Sequence, residues 1–91
     1  MQAKILTIED EETIQEVIEA YLEARGHLVY KAQDGAEGLR LFEQIQPDVV
    51  ILDLNLPEID GMEVAAKIRH MSDAYILMLT ARGDEIDRLA G

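Results

Sequence analysis

The most constraining feature of this sequence is an unbroken run of Val, Ile and Leu at residues 49–52, which ends on Asp53. Such a run, without polar alternation, is typical of a strand that is buried on both faces of a parallel sheet. Open α/β sheets bind their ligands beyond the carboxyl ends of such strands. We therefore expect Asp53 to lie at a ligand-binding edge, together with residues that follow other strands.

Strand-like and helix-like segments alternate along the whole chain. Strands are predicted at residues 4–8, 27–32, 48–53 and 74–79, and the last of these is a second continuous apolar run that we expect to be buried. Helices are predicted at residues 13–25, 36–46 and 61–71, with a fourth beginning after residue 82. The first helix should bury a face with helical spacing: Ile14, Val17, Ile18, Tyr21 and Leu22.

Strict alternation of strands and helices predicts an α/β fold, in which a parallel sheet is covered by helices on both faces through right-handed crossovers. The second strand is less apolar than the others, so it fits an edge of the sheet. The sequence contains no internal repeat and no linker, and its 91 residues are enough for one domain.

Charge and composition exclude several classes of partner. The chain has 19 acidic against 8 basic side chains, a formal net charge of -11. We therefore expect no direct contact with nucleic acid or with an anionic membrane surface. There is no cysteine and no apolar stretch long enough for a signal peptide or a membrane span. A cytoplasmic location is the resulting expectation.

Acidic and hydroxyl side chains follow three of the predicted strands. They are Glu9 and Asp10, Asp53 with Asn55, and Thr80 with Ala81. Several carboxylates in one crevice need a positive charge to compensate their negative charges. Carboxylate oxygens are hard ligands of the kind that Mg²⁺ prefers. A carboxylate can also act as a nucleophile toward phosphorus, in which case Thr80 could bind a phosphoryl oxygen and the small Ala81 would leave space for the group. Taken alone, Asp53 could equally be a cap of a turn or helix.

The chain resembles the receiver domain of two-component response regulators. The matching stretches are residues 4–11, 47–57, 60–61 and 76–82, which occur in the family's order and spacing over essentially the whole chain. The sequence of these stretches is most similar to that of the OmpR-type subfamily, whose members carry a winged-helix DNA-binding domain. The resemblance implies a flavodoxin-like doubly wound sheet of strand order 2-1-3-4, with a fifth strand completing the family's sheet.

Specific roles follow from this resemblance. Asp53 would be the phosphoacceptor, which a histidine kinase phosphorylates. Glu9 and Asp10 would hold Mg²⁺ directly or through water. Asn55 would offer its backbone carbonyl to the metal. Thr80 would be the switch hydroxyl that moves toward the phosphoryl group. The chain would then be a regulatory phosphoacceptor rather than an enzyme, and its output, expected to be transcription, would lie outside it.

The sequence departs from the family pattern in three respects. The family has a lysine after a fifth strand, whereas these 91 residues end within the fourth helix, and Lys31 and Lys67 lie in the wrong elements to replace it. We therefore expect residues 1–91 to be a single truncated receiver domain that is phosphorylated slowly. The fourth strand would become a bare edge, which predicts self-association by edge pairing or element exchange. Thr7 stands where the family has an apolar residue, which a buried hydrogen bond could accommodate.

Two other functions compete with the phosphorylated switch. Residues 53–55 loosely resemble the nucleophile loop of aspartate-dependent phosphatases, although this length cannot supply the downstream motifs of that family. Alternatively, the chain could act only by self-association, with an impaired or inert phosphorylation site.

Overall fold

Four parallel strands alternate with three helices in residues 2–79, the part of the chain that the computed structural model describes. The elements are β1 (Lys4–Ile8), α1 (Glu12–Ala24), β2 (Leu28–Ala32), α2 (Gly35–Ile45), β3 (Val49–Asp53), α3 (Gly61–Met71) and β4 (Tyr75–Leu79). The predicted fourth helix lies outside the described residues. No helix within residues 2–79 is long and apolar enough to cross a membrane.

The strands form one sheet in the order β2-β1-β3-β4, which confirms the predicted fold class and the position of β2 at an edge. The register pairs Ile8 of β1 with both Ala32 and Leu52, and Asp53 pairs with Leu79 of β4. Since all strands are parallel, their carboxyl ends share one edge. The segments that follow β1 and β3 are therefore neighbours.

One face of the sheet packs on α2 and α3 and holds most of the core. Its fully buried side chains are Leu6, Ile8, Phe42, Val50, Leu52, Val64 and Ile68. Their alternation along β1 and β3 is that of a strand, while Val64 and Ile68 are one helical turn apart. This continuous apolar layer fixes β1 and β3 side by side.

Helix ends are held by local hydrogen bonds of the expected kinds. The Asp34 carboxylate accepts from the Glu37 N–H at 2.8 Å before α2, and Asp60 accepts from the Met62 N–H at 2.9 Å before α3. After α1 the chain turns at Gly26, whose φ of +88° is readily adopted by glycine. Asp60 thereby sets the start of the helix that contacts the end of β3.

Burial differs from the sequence prediction on two elements. The apolar run at residues 74–79 predicted burial, but Tyr75, Leu77 and Met78 are exposed. β4 lies at the other edge of the described sheet, which agrees with the prediction that this strand would be an edge. On α1, Val17 is 65% exposed and Tyr21 is also exposed, while the buried residue of the helix is polar, Gln15. The physical reason is that an apolar run reports how much a side chain gains from burial, but not whether another element covers it.

Candidate metal centre

Three carboxylates converge at the carboxyl ends of β1 and β3. Glu9 and Asp10 directly follow β1, and Asp53 is the last residue of β3, the neighbouring strand. A carboxylate oxygen of each residue lies within 4.8 Å of those of the other two. The structure thus brings together three of the six residues that the sequence indicated for this edge. Hard oxygen ligands in this number and spacing could hold Mg²⁺.

Burial differs among the three acids. Glu9 is 3% exposed and Asp53 is 5% exposed, whereas Asp10 is open to solvent. The Glu11 N–H donates to Glu9 Oε2 at 2.9 Å, and the Asn55 N–H donates to Asp53 Oδ1 at 3.0 Å. Asp53 therefore does cap a turn, as the simpler interpretation proposed. Among residues 2–79, no group donates a hydrogen bond to its second oxygen.

The electrostatics of this cluster favour a bound cation. Burial raises the pKa of Glu9 to about 7, and the negative charges of Asp53 and Asp10 add to this rise, while the hydrogen bond from the Glu11 N–H opposes it. Near neutral pH the carboxyl group of Glu9 therefore resists ionisation. A divalent cation would relieve this repulsion, because an opposite charge favours the ionised form of a carboxyl group.

Gly61 fixes the distance between α3 and the end of β3. A Cβ atom at Gly61 would lie 2.5 Å from the Asp53 carbonyl oxygen and 2.7 Å from Leu54 Cα, so the backbones touch with no room for a side chain. Beyond Asp53, the Leu54 N–H donates to the Leu79 carbonyl at 3.2 Å. Asp53 is thus held between α3 on one side and the end of β4 on the other. The sequence placed Gly61 at the start of a helix but gave no sign of this contact.

The structure describes only one of the three remaining predicted site residues, Asn55. Asn55 is exposed and reaches Asp53 through its N–H, so the predicted role of its carbonyl as a metal ligand stays a prediction. Thr80 and Ala81 lie outside the described residues. Sequence reasoning missed Gln15, which is buried behind Glu9. A usable signal was present, because Gln15 lies three residues before Ile18 and seven before Leu22, on one helical face.

An open parallel sheet of order 2-1-3-4 with clustered acids at the ends of its first and third strands is the architecture that the receiver resemblance implied. Residues 5–91 match the family described as the response regulator receiver domain. The chain belongs to this family, as the sequence predicted.

Two similar proteins are transcriptional regulators by name. The probable transcriptional regulator ycf27 of Guillardia theta is 48% identical over 88 residues, covering 97% of this chain and 35% of the relative. The transcriptional regulatory protein AfsQ1 of Streptomyces coelicolor is 42% identical over 87 residues, covering 96% of this chain and 39% of its own length. The chain thus spans little more than a third of these curated relatives.

Solved structures show the same fold. The chemotaxis protein CheY4 of Vibrio cholerae superposes with a TM-score of 0.85 at 31% identity, covering 100% of this chain and 78% of that one. The BeF3-activated receiver domain of RstA from Klebsiella pneumoniae gives a TM-score of 0.85 at 28% identity, covering 96% of this chain and 74% of that one. These likenesses agree with the observed strand order.

Proposed function

We propose that residues 1–91 form a single cytoplasmic receiver domain that accepts a phosphoryl group on Asp53 from a histidine kinase, with Mg²⁺ as cofactor. The observation that carries this proposal is the convergence of the Glu9, Asp10 and Asp53 carboxylates within 4.8 Å at the ends of adjacent strands. Phosphorylation would regulate an output, transcription by analogy with the curated relatives, that lies outside these residues. We expect no turnover of free phosphomonoesters.

The chemistry is a direct transfer to a carboxylate. An Asp53 oxygen forms a bond to phosphorus while the bond from phosphorus to the donor's leaving group breaks, and the product is an acyl phosphate. The Asn55 N–H holds Oδ1, so Oδ2 is the attacking atom. Glu9 and Asp10 would hold Mg²⁺, with the Asn55 carbonyl as a further ligand. When bound, Mg²⁺ neutralises charge on the transferring group and on the surrounding acids.

Two further residues complete the proposed site. Thr80 would donate its hydroxyl to a phosphoryl oxygen, and Ala81 would leave room for the group.

A small phosphodonor tests this proposal without knowledge of the kinase. Incubation with acetyl phosphate and Mg²⁺ should add one phosphoryl group, detected by intact mass spectrometry, and the Asp53→Asn variant should show none. Asp60→Asn is the matched control, because it makes the same change in an exposed acid that only caps α3, and it should still be modified. An unmodified wild-type chain, or an Asp53→Asn variant that is modified as fully as the wild type, contradicts the proposal.

A second function, self-association, is favoured by an exposed apolar surface beside β4. Within residues 2–79, β4 pairs with a strand on one side only. A groove of about 360 Å³ runs between α1 and this strand and is lined by Val17, Ile18, Tyr21, Leu22, Ile51, Leu77 and Leu79. An edge strand with apolar side chains is a template for another strand of the same kind. We propose that a second copy of this chain binds at the β4 edge and covers this groove.

Leu77→Lys should therefore shift the protein toward the monomer in sedimentation velocity. Leu28→Lys is a closely matched control: Leu28 is 42% exposed on β2, the opposite edge, and Leu77 is 44% exposed on β4. Both changes reduce the net charge of -11, which by itself would favour association. Dissociation by Leu77→Lys alone thus identifies the β4 edge. A wild-type mass that remains monomeric over a wide concentration range overturns this proposal.

A further inference from the structure

The side chain of Gln15 joins the ends of two strands behind the acidic cluster. Gln15 lies in the first turns of α1, yet it is only 4% exposed. Its Nε2 group lies at hydrogen-bond distance from three backbone carbonyls: Ala32 at 2.8 Å, Glu9 at 3.1 Å and Thr7 at 3.2 Å. One amide thus contacts β1, the last residue of β2 and the segment that carries the candidate metal ligands.

Thr7 fixes the orientation of this amide. Its hydroxyl, fully buried, donates to Gln15 Oε1 and lies 3.4 Å from the Tyr30 carbonyl. With a hydroxyl donor at the oxygen and carbonyl acceptors at the nitrogen, only one orientation of the carboxamide satisfies both ends. Thr7 is the residue that departs from the apolar pattern of β1. Its hydroxyl therefore has a partner, Gln15, which also contacts the backbone carbonyl of Glu9.

The backbone of Glu9 is held from both sides as a result. Its N–H donates to the Ala32 carbonyl at 3.0 Å, and its own carbonyl accepts from Gln15. With both backbone groups engaged, the Glu9 side chain leaves the strand in one direction, in which Oε2 accepts from the Glu11 N–H. Without Gln15, the Glu9 carbonyl would have to find water or another donor in a buried setting, which would require the segment after β1 to move.

We infer that Gln15, oriented by Thr7, is a positioning residue that sets the direction of the Glu9 carboxylate for Mg²⁺ binding. This inference rests on the proposed metal-dependent function. Removing a residue that orients a metal ligand, without itself binding the metal, typically lowers the metal affinity on the order of 10-fold. Gln15→Leu keeps the size of the side chain and removes all of its hydrogen bonds. It should weaken Mg²⁺ binding by roughly that factor.

Thr7 provides the test of orientation. Thr7→Val removes the hydroxyl but keeps the shape, so it should weaken Mg²⁺ binding in the same direction as Gln15→Leu. Thr7→Ser keeps the hydroxyl and should retain the wild-type affinity. Isothermal titration calorimetry with Mg²⁺ alone gives the dissociation constants. The chemical shift of the Glu11 amide gives an independent readout, because this N–H donates to the Glu9 carboxylate.

A destabilised variant away from the site separates positioning from general loss of stability. Ile45→Ala is suitable, because the Ile45 carbonyl accepts from Lys4 at the opposite end of β1. It should lower stability while leaving Mg²⁺ affinity and the Glu11 shift unchanged. If the wild type does not bind Mg²⁺, the proposed function fails. If the wild type binds, and both Gln15→Leu and Thr7→Val bind equally well while folded, the inference about Gln15 is wrong.

Discussion

Glu9→Gln is expected to raise the free energy of unfolding of the metal-free protein at about pH 8 by on the order of 3 kcal/mol, a magnitude set by the elevation of the Glu9 pKa from 4.5 to about 7. The wild-type carboxyl group must ionise in a buried position beside Asp53 and Asp10, and the neutral amide need not. The Gln side chain also retains an oxygen that can accept the Glu11 N–H.

The sign of this effect depends on pH. Because the folded state raises the pKa of Glu9, it binds a proton more tightly than the unfolded chain does. Below about pH 4 the group is protonated in both states, and the wild type and Glu9→Gln should be similarly stable. The wild type loses stability relative to the variant as the pH rises from 4.5 toward 7, and the difference is complete above this range.

Urea denaturation at several pH values in the presence of a chelator measures this difference. Glu43→Gln is the control for net charge, because Glu43 is an exposed acid on α2. It should change stability little at any pH. A Glu9→Gln variant that is no more stable than Glu43→Gln at about pH 8 would contradict the expected cost of ionising the buried Glu9 carboxyl group.

Added Mg²⁺ should reduce the difference in the free energy of unfolding between Glu9→Gln and the wild type. Binding to the folded state alone stabilises it, by about 2.7 kcal/mol at a metal concentration 100 times the dissociation constant. The wild type should gain this stabilisation at about pH 8. Glu9→Gln, which lacks one carboxylate of the cluster, should gain much less. Equal gains in the two proteins would show that Glu9 does not contribute to metal binding.

Gly61→Ala is expected to destabilise the protein by about 1 to 3 kcal/mol and to weaken Mg²⁺ binding at the same time. The added methyl group would lie 2.5 Å from the Asp53 carbonyl oxygen and 2.7 Å from Leu54 Cα, both of them backbone atoms. Neither can turn away as a flexible side chain could. Helix α3 must therefore move from the end of β3, or Asp53 must move from Glu9.

Ile68→Val is the control for Gly61→Ala. Ile68 is fully buried on α3, about two turns beyond Gly61, and its shortening should cost about 0.5 to 1.5 kcal/mol. Both variants should have lower urea midpoints, but only Gly61→Ala should lose Mg²⁺ affinity in calorimetry. A Gly61→Ala variant with wild-type stability would show that the contact relaxes without cost.

The residues themselves were sufficient for the parallel sheet and for the edge that Glu9, Asp10 and Asp53 share, because alternating strands and helices give a parallel sheet whose carboxyl ends lie along one edge. The strand order 2-1-3-4 was implied by the resemblance to the receiver family. The exposure of Tyr21 did not follow, because periodicity identifies an apolar face but not what packs on it. The pairing of Thr7 with Gln15 was missed for a related reason, since a buried polar pair joins elements that have separate periodicities.

The hydrogen bond between Leu54 and Leu79 connects the exposed edge of the sheet to Asp53, the proposed phosphoacceptor. Leu54 follows Asp53 directly, and Leu79 is the last residue of β4, immediately before Thr80. A displacement of the backbone at Leu54 is therefore transmitted to Leu79 through one hydrogen bond. If a molecule on β4 prefers the phosphorylated form by some factor, thermodynamic reciprocity requires that its presence favour phosphorylation by the same factor. Occupancy of this edge would then act as an input to the acceptor as well as an output from it.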